Sequence, residues 1–169
     1  SASHIALECA MQCQPNICLV SEEVEAKAMS LDDVVTYIAK AVAARAEEGN
    51  NYGTVLIPEG IIEFIPAIKK LIAELNEVLT DPATGESREF AGAEEQIAFV
   101  KGAIAADNLA VLESLPEDVA RQLCLDRDPH GNVQVSLIET EKLLSRMVAT
   151  KLAAWKAEGK YVGKFGTQH

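Results

Sequence analysis

The residue of this sequence best placed to do chemistry is Glu59, which follows an apolar run and stands between Pro58 and Gly60. A carboxylate accepts hydrogen bonds from hydroxyl groups, and in open parallel sheets ligands bind beyond the carboxyl ends of the strands. The proline fixes the approach of the chain, and the glycine permits an unusual turn. The pattern predicts that Glu59 contacts a ligand; the alternative is an ordinary carboxylate in the first turn of the next helix.

Histidine and serine offer weaker candidates. Ser3 and His4 stand at the start of a predicted helix, whose amino terminus can hold phosphate, although Ser3 fits a plain helix cap better. His130 lies in a Pro-His-Gly string that is typical of a turn, and His169 is the last residue of the sequence. For none of these residues does the sequence indicate a neighbouring base or metal ligand.

The cysteines favour packing over metal binding. Cys9 and Cys13 stand four residues apart and would share a helix face, but no His or Cys pair with ligand spacing follows them. With Cys18 and Cys124 they are expected to be reduced thiols in the cytoplasm, since the aliphatic content makes disulfides unnecessary.

Motifs for phosphoryl transfer are missing from the residues themselves. We find no phosphate-cradling glycine loop, no Asp-rich magnesium motif and no nucleophile beside a base. Phosphoryl transfer needs a metal, an activated nucleophile and cations around the moving phosphate. The residues alone therefore predict binding without turnover, with no catalytic residue and no metal ligand.

Two apolar runs, at residues 17–20 and 54–57, predict the strands that position Glu59. Such runs, bounded by turn residues, suit strands covered on both faces. Between them, Ser30 caps a predicted helix that reaches about Glu48. A helical crossover between neighbouring strands makes their pairing parallel and right-handed. The fold class is therefore α/β, as part of a doubly wound parallel sheet.

The rest of the chain shows helical patterns. Residues 64–79 trace an amphipathic helix, residues 80–89 are polar and turn-rich, and residues 93–125 show helical periodicity alone. We interpret residues 80–131 as a helical insertion. Ser136 and Glu139 have the spacing of a capping box, which predicts a last helix from there to Glu158.

Composition narrows the partners. With 26 acidic and 15 basic residues, the 169-residue chain has a formal net charge of -11, which repels nucleic acid and anionic lipid surfaces. No apolar run approaches the roughly 18 residues of a membrane span. Hydrophobic residues make up 49% and aromatic residues 5%, which favours a helix-rich protein. We expect neither a nucleic acid nor a membrane partner, and any binding of a phosphorylated ligand must use local cations.

Five strings in order along the chain resemble the long-chain pyrophosphate-dependent phosphofructokinases. They lie at residues 1–10, 51–53, 57–60, 71–77 and 127–135. In that family a Met-Gly-Arg motif precedes the first string and a Tyr-Glu-Gly-Arg motif follows shortly after the position of His169. The resemblance therefore implies an internal piece of a longer polypeptide with a phosphofructokinase-like fold.

The resemblance also implies a function. Such enzymes transfer phosphate reversibly from pyrophosphate to fructose 6-phosphate in cytoplasmic glycolysis, giving fructose 1,6-bisphosphate with Mg²⁺ as cofactor. The glutamate of their Pro-Glu-Gly string binds fructose 6-phosphate, which assigns that role to Glu59. Residues 1–79 and 132–169 would form an α/β sugar-phosphate-binding subdomain around the insertion at 80–131. We expect a homo-oligomer and a segment that needs the remainder of its polypeptide for activity.

Two other interpretations remain open at this stage. The chain is also compatible with a stand-alone acidic helical domain that binds a protein partner. A complete small α/β enzyme of unknown chemistry is the third alternative, although no nucleophile or metal cluster supports it.

Overall fold

The computed structural model describes residues 17–49, 53 and 55–159. It divides the chain into two compact units: one contains the residues up to Ile65 and from Glu139 onward, and the other runs from Pro66 to Ile138. The helix that begins at Pro66, which the sequence analysis grouped with the α/β part, thus belongs with the helices that follow it. The division does not test the predicted sugar-phosphate-binding role of the α/β part, which stays a prediction.

The first unit contains a parallel strand pair. Strand β1 (Ile17–Cys18) lies beside β2 (Val55–Leu56), with Ile17 opposite Val55 and Cys18 opposite Leu56. The Leu19 N–H extends the ladder by donating to the Leu56 carbonyl at 3.0 Å. The predicted parallel pairing is confirmed, although both strands are shorter than the apolar runs that indicated them.

Helices α1 (Ser21–Ala26) and α2 (Leu31–Glu47) connect the two strands. The predicted cap of α2 is confirmed: Ser30 Oγ accepts from the Asp33 N–H at 3.0 Å, and Asp33 Oδ2 accepts from the Ser30 N–H at 2.9 Å. Helix α1 was not predicted from the sequence, because its six residues bury only Ser21 and Val24 and show no helical repeat. Its two acidic residues in the first turn were the available signal.

Helix α7 (Thr140–Ala157) packs against α2 in the same unit. Val34, Val35 and Ile38 of α2 are buried, as are the residues of α7 at helical spacing, namely Leu143, Leu144, Val148 and Leu152. Lys151 Nζ of α7 also donates to α2, to Asp32 Oδ1 at 2.7 Å and Thr36 Oγ1 at 2.8 Å. Apolar burial supplies most of the stability of this helix pair, because an ion pair with an exposed partner such as Asp32 contributes little.

The predicted capping box at Ser136 is wrong. Ser136 lies inside a short 3-10 helix (Val135–Leu137), and α7 begins only after Glu139, which makes no side-chain capping bond. Ile138 between them is extended, at φ -79° and ψ 119°, and buried, so one helix cannot run through it. The end of α7 near Glu158 and Gly159 agrees with the prediction.

The second unit is helical throughout its regular structure. It contains α3 (Pro66–Leu79), α4 (Ala93–Ala103), α5 (Ala106–Ser114) and α6 (Glu117–Leu125). Helix α3 packs against α4 and α5 and buries a stripe of four residues, Ile68, Leu71, Leu75 and Leu79. The predicted start of α3 at residue 64 is wrong, because Ile65 precedes a proline and is extended at φ -77° and ψ 114°.

None of the helices in the described part of the chain combines the length and the apolar composition that a membrane span requires.

Candidate functional site

The candidate site is the turn that follows β2 in the first unit. Pro58 is buried and Ile61 has no exposed surface, whereas Glu59 between them is exposed. Burial on both sides anchors the two ends of the turn in the core, since moving either end would expose apolar surface. The chain therefore holds the Glu59 side chain outside the core, just beyond the carboxyl end of a parallel strand.

The turn is of type II, which requires the glycine. The Ile61 N–H donates to the Pro58 carbonyl at 3.3 Å, so Glu59 and Gly60 are the two central residues. Gly60 has φ 75° and ψ 11°, close to the ideal values of about 80° and 0° for the third position of a type II turn. Glu59 does not have a positive φ, which distinguishes this turn from its mirror-image forms.

Directly after the turn, the chain enters a 3-10 helix (Ile61–Phe64), which was not predicted from the sequence. Glu63, its acidic first-turn residue, is exposed, and its N–H donates to the Gly60 carbonyl at 3.0 Å. A Cβ built on Gly60 would lie 3.7 Å from Glu63 Oε2, so a second carboxylate lies beside the turn. Glu63 was not among the predicted site residues; its spacing of four residues from Glu59 was the signal that could have indicated it.

The electrostatics of this turn restrict what it can bind. Neither the Glu59 nor the Glu63 carboxylate forms a hydrogen bond or an ion pair with any residue that the structure describes. Two exposed carboxylates repel a phosphate group and accept hydrogen bonds from hydroxyl groups or attract cations. The arrangement is therefore suited to the neutral, hydroxyl-bearing part of a ligand.

The other candidate residues lie elsewhere or outside the described residues. Ser3, His4, Cys9, Cys13 and His169 all fall outside those ranges. Cys18 is half-buried in β1, and Cys124 is fully buried in α6, where desolvation raises the pKa of its thiol.

The remaining histidine, His130, is exposed at the tip of a loop in the second unit. Asp128 holds this loop together: its Oδ1 accepts from the N–H groups of His130 and Asn132 at 2.9 and 2.8 Å. The Asn132 N–H and side chain lower the pKa of the Asp128 carboxyl most, with a smaller contribution from His130. His130 thus lies in a turn, which is the interpretation that the sequence favoured.

Arg127 precedes this loop and is half-buried. Its Nη2 donates to the Leu123 carbonyl at 3.0 Å and to the Cys124 carbonyl at 3.4 Å, which caps the carboxyl end of α6. Burial lowers the pKa of its guanidinium to about 10. Arg127 therefore supports the carboxyl end of α6.

Within residues 17–49, 53 and 55–159, no three His, Cys, Asp or Glu side chains come together in a way that could hold a metal ion.

No family profile matches the chain.

Individual proteins do match. The chain is 59% identical to the pyrophosphate–fructose 6-phosphate 1-phosphotransferase of Porphyromonas gingivalis over 99% of its own length and 30% of that protein. It is 48% identical to the enzyme of the same name from Treponema pallidum, over 99% of the chain and 29% of that protein. It is 46% identical to subunit beta 1 from Arabidopsis thaliana, over 100% of the chain and 28% of that protein.

The chain thus spans about 30% of the length of the curated relatives that it matches. The match runs through the turn at Glu59 and through the loop at Asp128, so it includes both units. Over almost its entire length, the chain is homologous to one segment of the pyrophosphate–fructose 6-phosphate 1-phosphotransferases.

Proposed function

We propose that this chain acts as the fructose 6-phosphate-binding segment of a pyrophosphate-dependent phosphofructokinase. The observation that carries the proposal is the exposed Glu59 carboxylate on its type II turn, in a chain 59% identical to a phosphotransferase of that name. In this role Glu59 accepts hydrogen bonds from sugar hydroxyl groups. The complete enzyme then transfers a phosphoryl group between pyrophosphate and the 1-hydroxyl of fructose 6-phosphate.

The negative charge around the turn indicates which part of the substrate Glu59 contacts. With Glu63 beside it, Glu59 is poorly suited to contact the 6-phosphate or pyrophosphate, both of which are anions. Hydroxyl groups carry no charge and donate hydrogen bonds that a carboxylate accepts strongly. We therefore assign the sugar ring to Glu59 and the phosphate groups to cationic residues elsewhere in the enzyme.

The strand pair supports a larger sheet. Two strands of two residues each are too little for an independent sheet. We propose that further strands of the complete polypeptide extend β1 and β2 into the doubly wound parallel sheet of a phosphofructokinase-like fold. The two parallel strands are connected through helices α1 and α2. A doubly wound sheet is built by repeating this strand–helix–strand connection.

The remaining features of the proposal concern the complete enzyme. It uses Mg²⁺, and we assign the metal ligands to the remainder of its polypeptide; the described residues of this chain contain no cluster of three candidate ligands. It acts in the cytoplasm, in glycolysis, as a homo-oligomer. No catalytic residue is assigned to this chain.

The alternative of a stand-alone acidic helical interaction domain is not favoured. Its support was the net charge of -11 and the helical content. A similarity that covers 99% of the chain and includes its turns as well as its helices has no explanation under that alternative.

The test is an enzyme assay on the full-length protein that contains this chain. With fructose 6-phosphate and Mg²⁺, we expect pyrophosphate to support formation of fructose 1,6-bisphosphate and ATP not to replace it. The 169-residue chain alone is the matched control and is expected to form no product. Lack of product from the full-length protein, or turnover by the purified chain alone, would contradict the proposal.

A further inference from the structure

We propose that Glu63 is a specificity-determining residue, whose charge weakens the binding of fructose 1,6-bisphosphate more than that of fructose 6-phosphate. This inference rests on the function proposed above and gives the second carboxylate beside the turn a role of its own. Glu59 binds the sugar that both compounds share, whereas Glu63 acts on the phosphate groups in which they differ.

The first step is that the charge of Glu63 is not cancelled by a paired cation. Its side chain is exposed and forms no ion pair or hydrogen bond with any residue in the part of the chain that the structure describes. The field of this carboxylate therefore extends into the solvent, where a ligand of Glu59 would lie.

The second step is the distance over which this field acts. Glu63 Oε2 lies 3.7 Å from a Cβ built on Gly60. A Cα–Cβ bond is about 1.5 Å long and consecutive Cα atoms are about 3.8 Å apart, so this oxygen lies within about 9 Å of the Glu59 Cα. The Debye length is about 10 Å at an ionic strength of about 0.1 M and about 30 Å at about 0.01 M. At low ionic strength, an anionic ligand that Glu59 binds is thus repelled by Glu63.

The third step is the charge of the two sugar phosphates. Each phosphate group carries a charge of about -1.5 to -2 at pH 7, so the bisphosphate carries about twice the charge of the monophosphate. Coulomb repulsion is proportional to the charge of the ligand. The hydroxyl groups that Glu59 accepts from are uncharged in both compounds. Glu63 therefore disfavours the product relative to the substrate, which favours product release after the phosphoryl group has been transferred.

The experiment measures the KM for fructose 6-phosphate in the forward direction and for fructose 1,6-bisphosphate in the reverse direction. It uses the full-length protein with Glu63→Gln, at fixed Mg²⁺ and an ionic strength of about 0.03 M. We expect the KM for fructose 6-phosphate to fall about twofold and that for the bisphosphate about fourfold, since a doubled charge squares the factor. Both changes should disappear at an ionic strength of about 1 M, where the Debye length is about 3 Å.

Two control variants separate the charge of Glu63 from its shape and its position. Glu63→Asp keeps the charge and should leave both KM values within about 1.5-fold of the unsubstituted enzyme. Glu47→Gln removes one exposed carboxylate at the end of α2, before β2 begins, whereas the turn follows β2. Its net charge change equals that of Glu63→Gln, so equal effects of the two would show a general effect of net charge and overturn the inference.

A Glu59→Gln variant separates this inference from the function on which it rests. A rise in the KM for fructose 6-phosphate with Glu59→Gln, but no change in either KM with Glu63→Gln, overturns the role of Glu63 and leaves that of Glu59 intact. No change with either variant overturns both. Equal decreases for the two sugar phosphates in Glu63→Gln, or decreases that persist at high ionic strength, also overturn the inference. Should Glu63→Gln fail to fold, Glu63→Ala removes the same charge and is held to the same ratios.

Discussion

Gly131 and Gly85 both adopt positive φ angles in the second unit, at 83° and 71°, but their surroundings differ. A Cβ at Gly131 would lie 2.9 Å from Thr80 Oγ1 and 3.3 Å from Ser87 Cα, whereas nothing lies within 4 Å of one at Gly85. The loop at Asp128 thus lies against the segment that follows α3, and only glycine permits so close an approach.

This difference predicts unequal effects of the same substitution. Gly131→Ala combines backbone strain with a steric clash and should lower the free energy of unfolding by about 2–4 kcal/mol. Gly85→Ala carries the strain alone and should lower it by about 1 kcal/mol. Urea unfolding of the 169-residue chain, followed by circular dichroism, measures both. Equal losses would mean that the close approach does not restrict position 131.

The carboxyl of Asp128 makes a prediction about pH. Its pKa is lowered by hydrogen bonds from Asn132, so these bonds stabilise the folded loop above the unfolded pKa of about 3.9. That stabilisation is lost as the pH falls through the lower folded pKa. In an NMR titration we expect the midpoint of Asp128 to lie below the unfolded value, and to rise in part in Asn132→Ala, which loses the side-chain hydrogen bond but keeps the backbone N–H. An unchanged midpoint in that variant would contradict the assignment.

At this scale, the sequence predicted the location of Glu59 well and its local geometry only in part. The Pro-Glu-Gly string already indicated an unusual turn, because proline and glycine restrict the backbone locally. It did not indicate that Glu63 lies beside Gly60, since that depends on a 3-10 helix starting at once. The capping box at Ser136 failed for a related reason: the burial of Ile138 overrides a local spacing rule.

Helix α3 carries two side chains that hold other elements in the second unit. Glu74 accepts from the Ala105 N–H at 3.0 and 3.1 Å and also from the Asn108 side chain, and so caps the start of α5. Asn76 Oδ1 accepts from the Val133 N–H at 2.7 Å, in the loop after α6. Two strings that carried the family resemblance, at 71–77 and 127–135, therefore meet in the fold, and these contacts are structural.

The contact of Asn76 is testable with a neighbour on the same helix as control. Asn76→Ala leaves the half-buried Val133 N–H without its acceptor and should lower the free energy of unfolding by about 1–2 kcal/mol. Glu77→Ala removes an exposed side chain and should change it by less than about 0.5 kcal/mol. Urea unfolding of both variants decides the matter. Similar losses would show that the helix, rather than this hydrogen bond, accounts for the effect.

The elements were predicted where periodicity or capping is strong. Helix α2 follows its Ser30 cap and its regular apolar spacing, both of which are local properties of the sequence. Helix α1 was missed because it is short, and α3 starts later than predicted because Pro66 excludes a helical conformation at Ile65. Residues 93–125 gave helical periodicity but not three separate helices, since the breaks near Ile104 and Leu115 depend on packing.

At the scale of the whole molecule, the homology extends further than the candidate site. It covers both units, and the chain spans about 30% of the length of the homologous phosphotransferases. The described residues contain the parallel strand pair of β1 and β2 and, directly after β2, a turn that carries the exposed Glu59 carboxylate. The proposed role of this chain is accordingly limited to binding.

Steady-state kinetics of Glu59→Gln in the full-length protein test this central claim most directly. The loss of one charged hydrogen-bond acceptor should raise the KM for fructose 6-phosphate roughly tenfold or more and leave the KM for pyrophosphate unchanged. Glu47→Gln, which removes an exposed carboxylate at the end of α2 in the same unit, is the control and should shift neither value by more than about twofold. A Glu59→Gln enzyme that keeps its KM for fructose 6-phosphate, or that loses affinity for both substrates equally, would contradict the account.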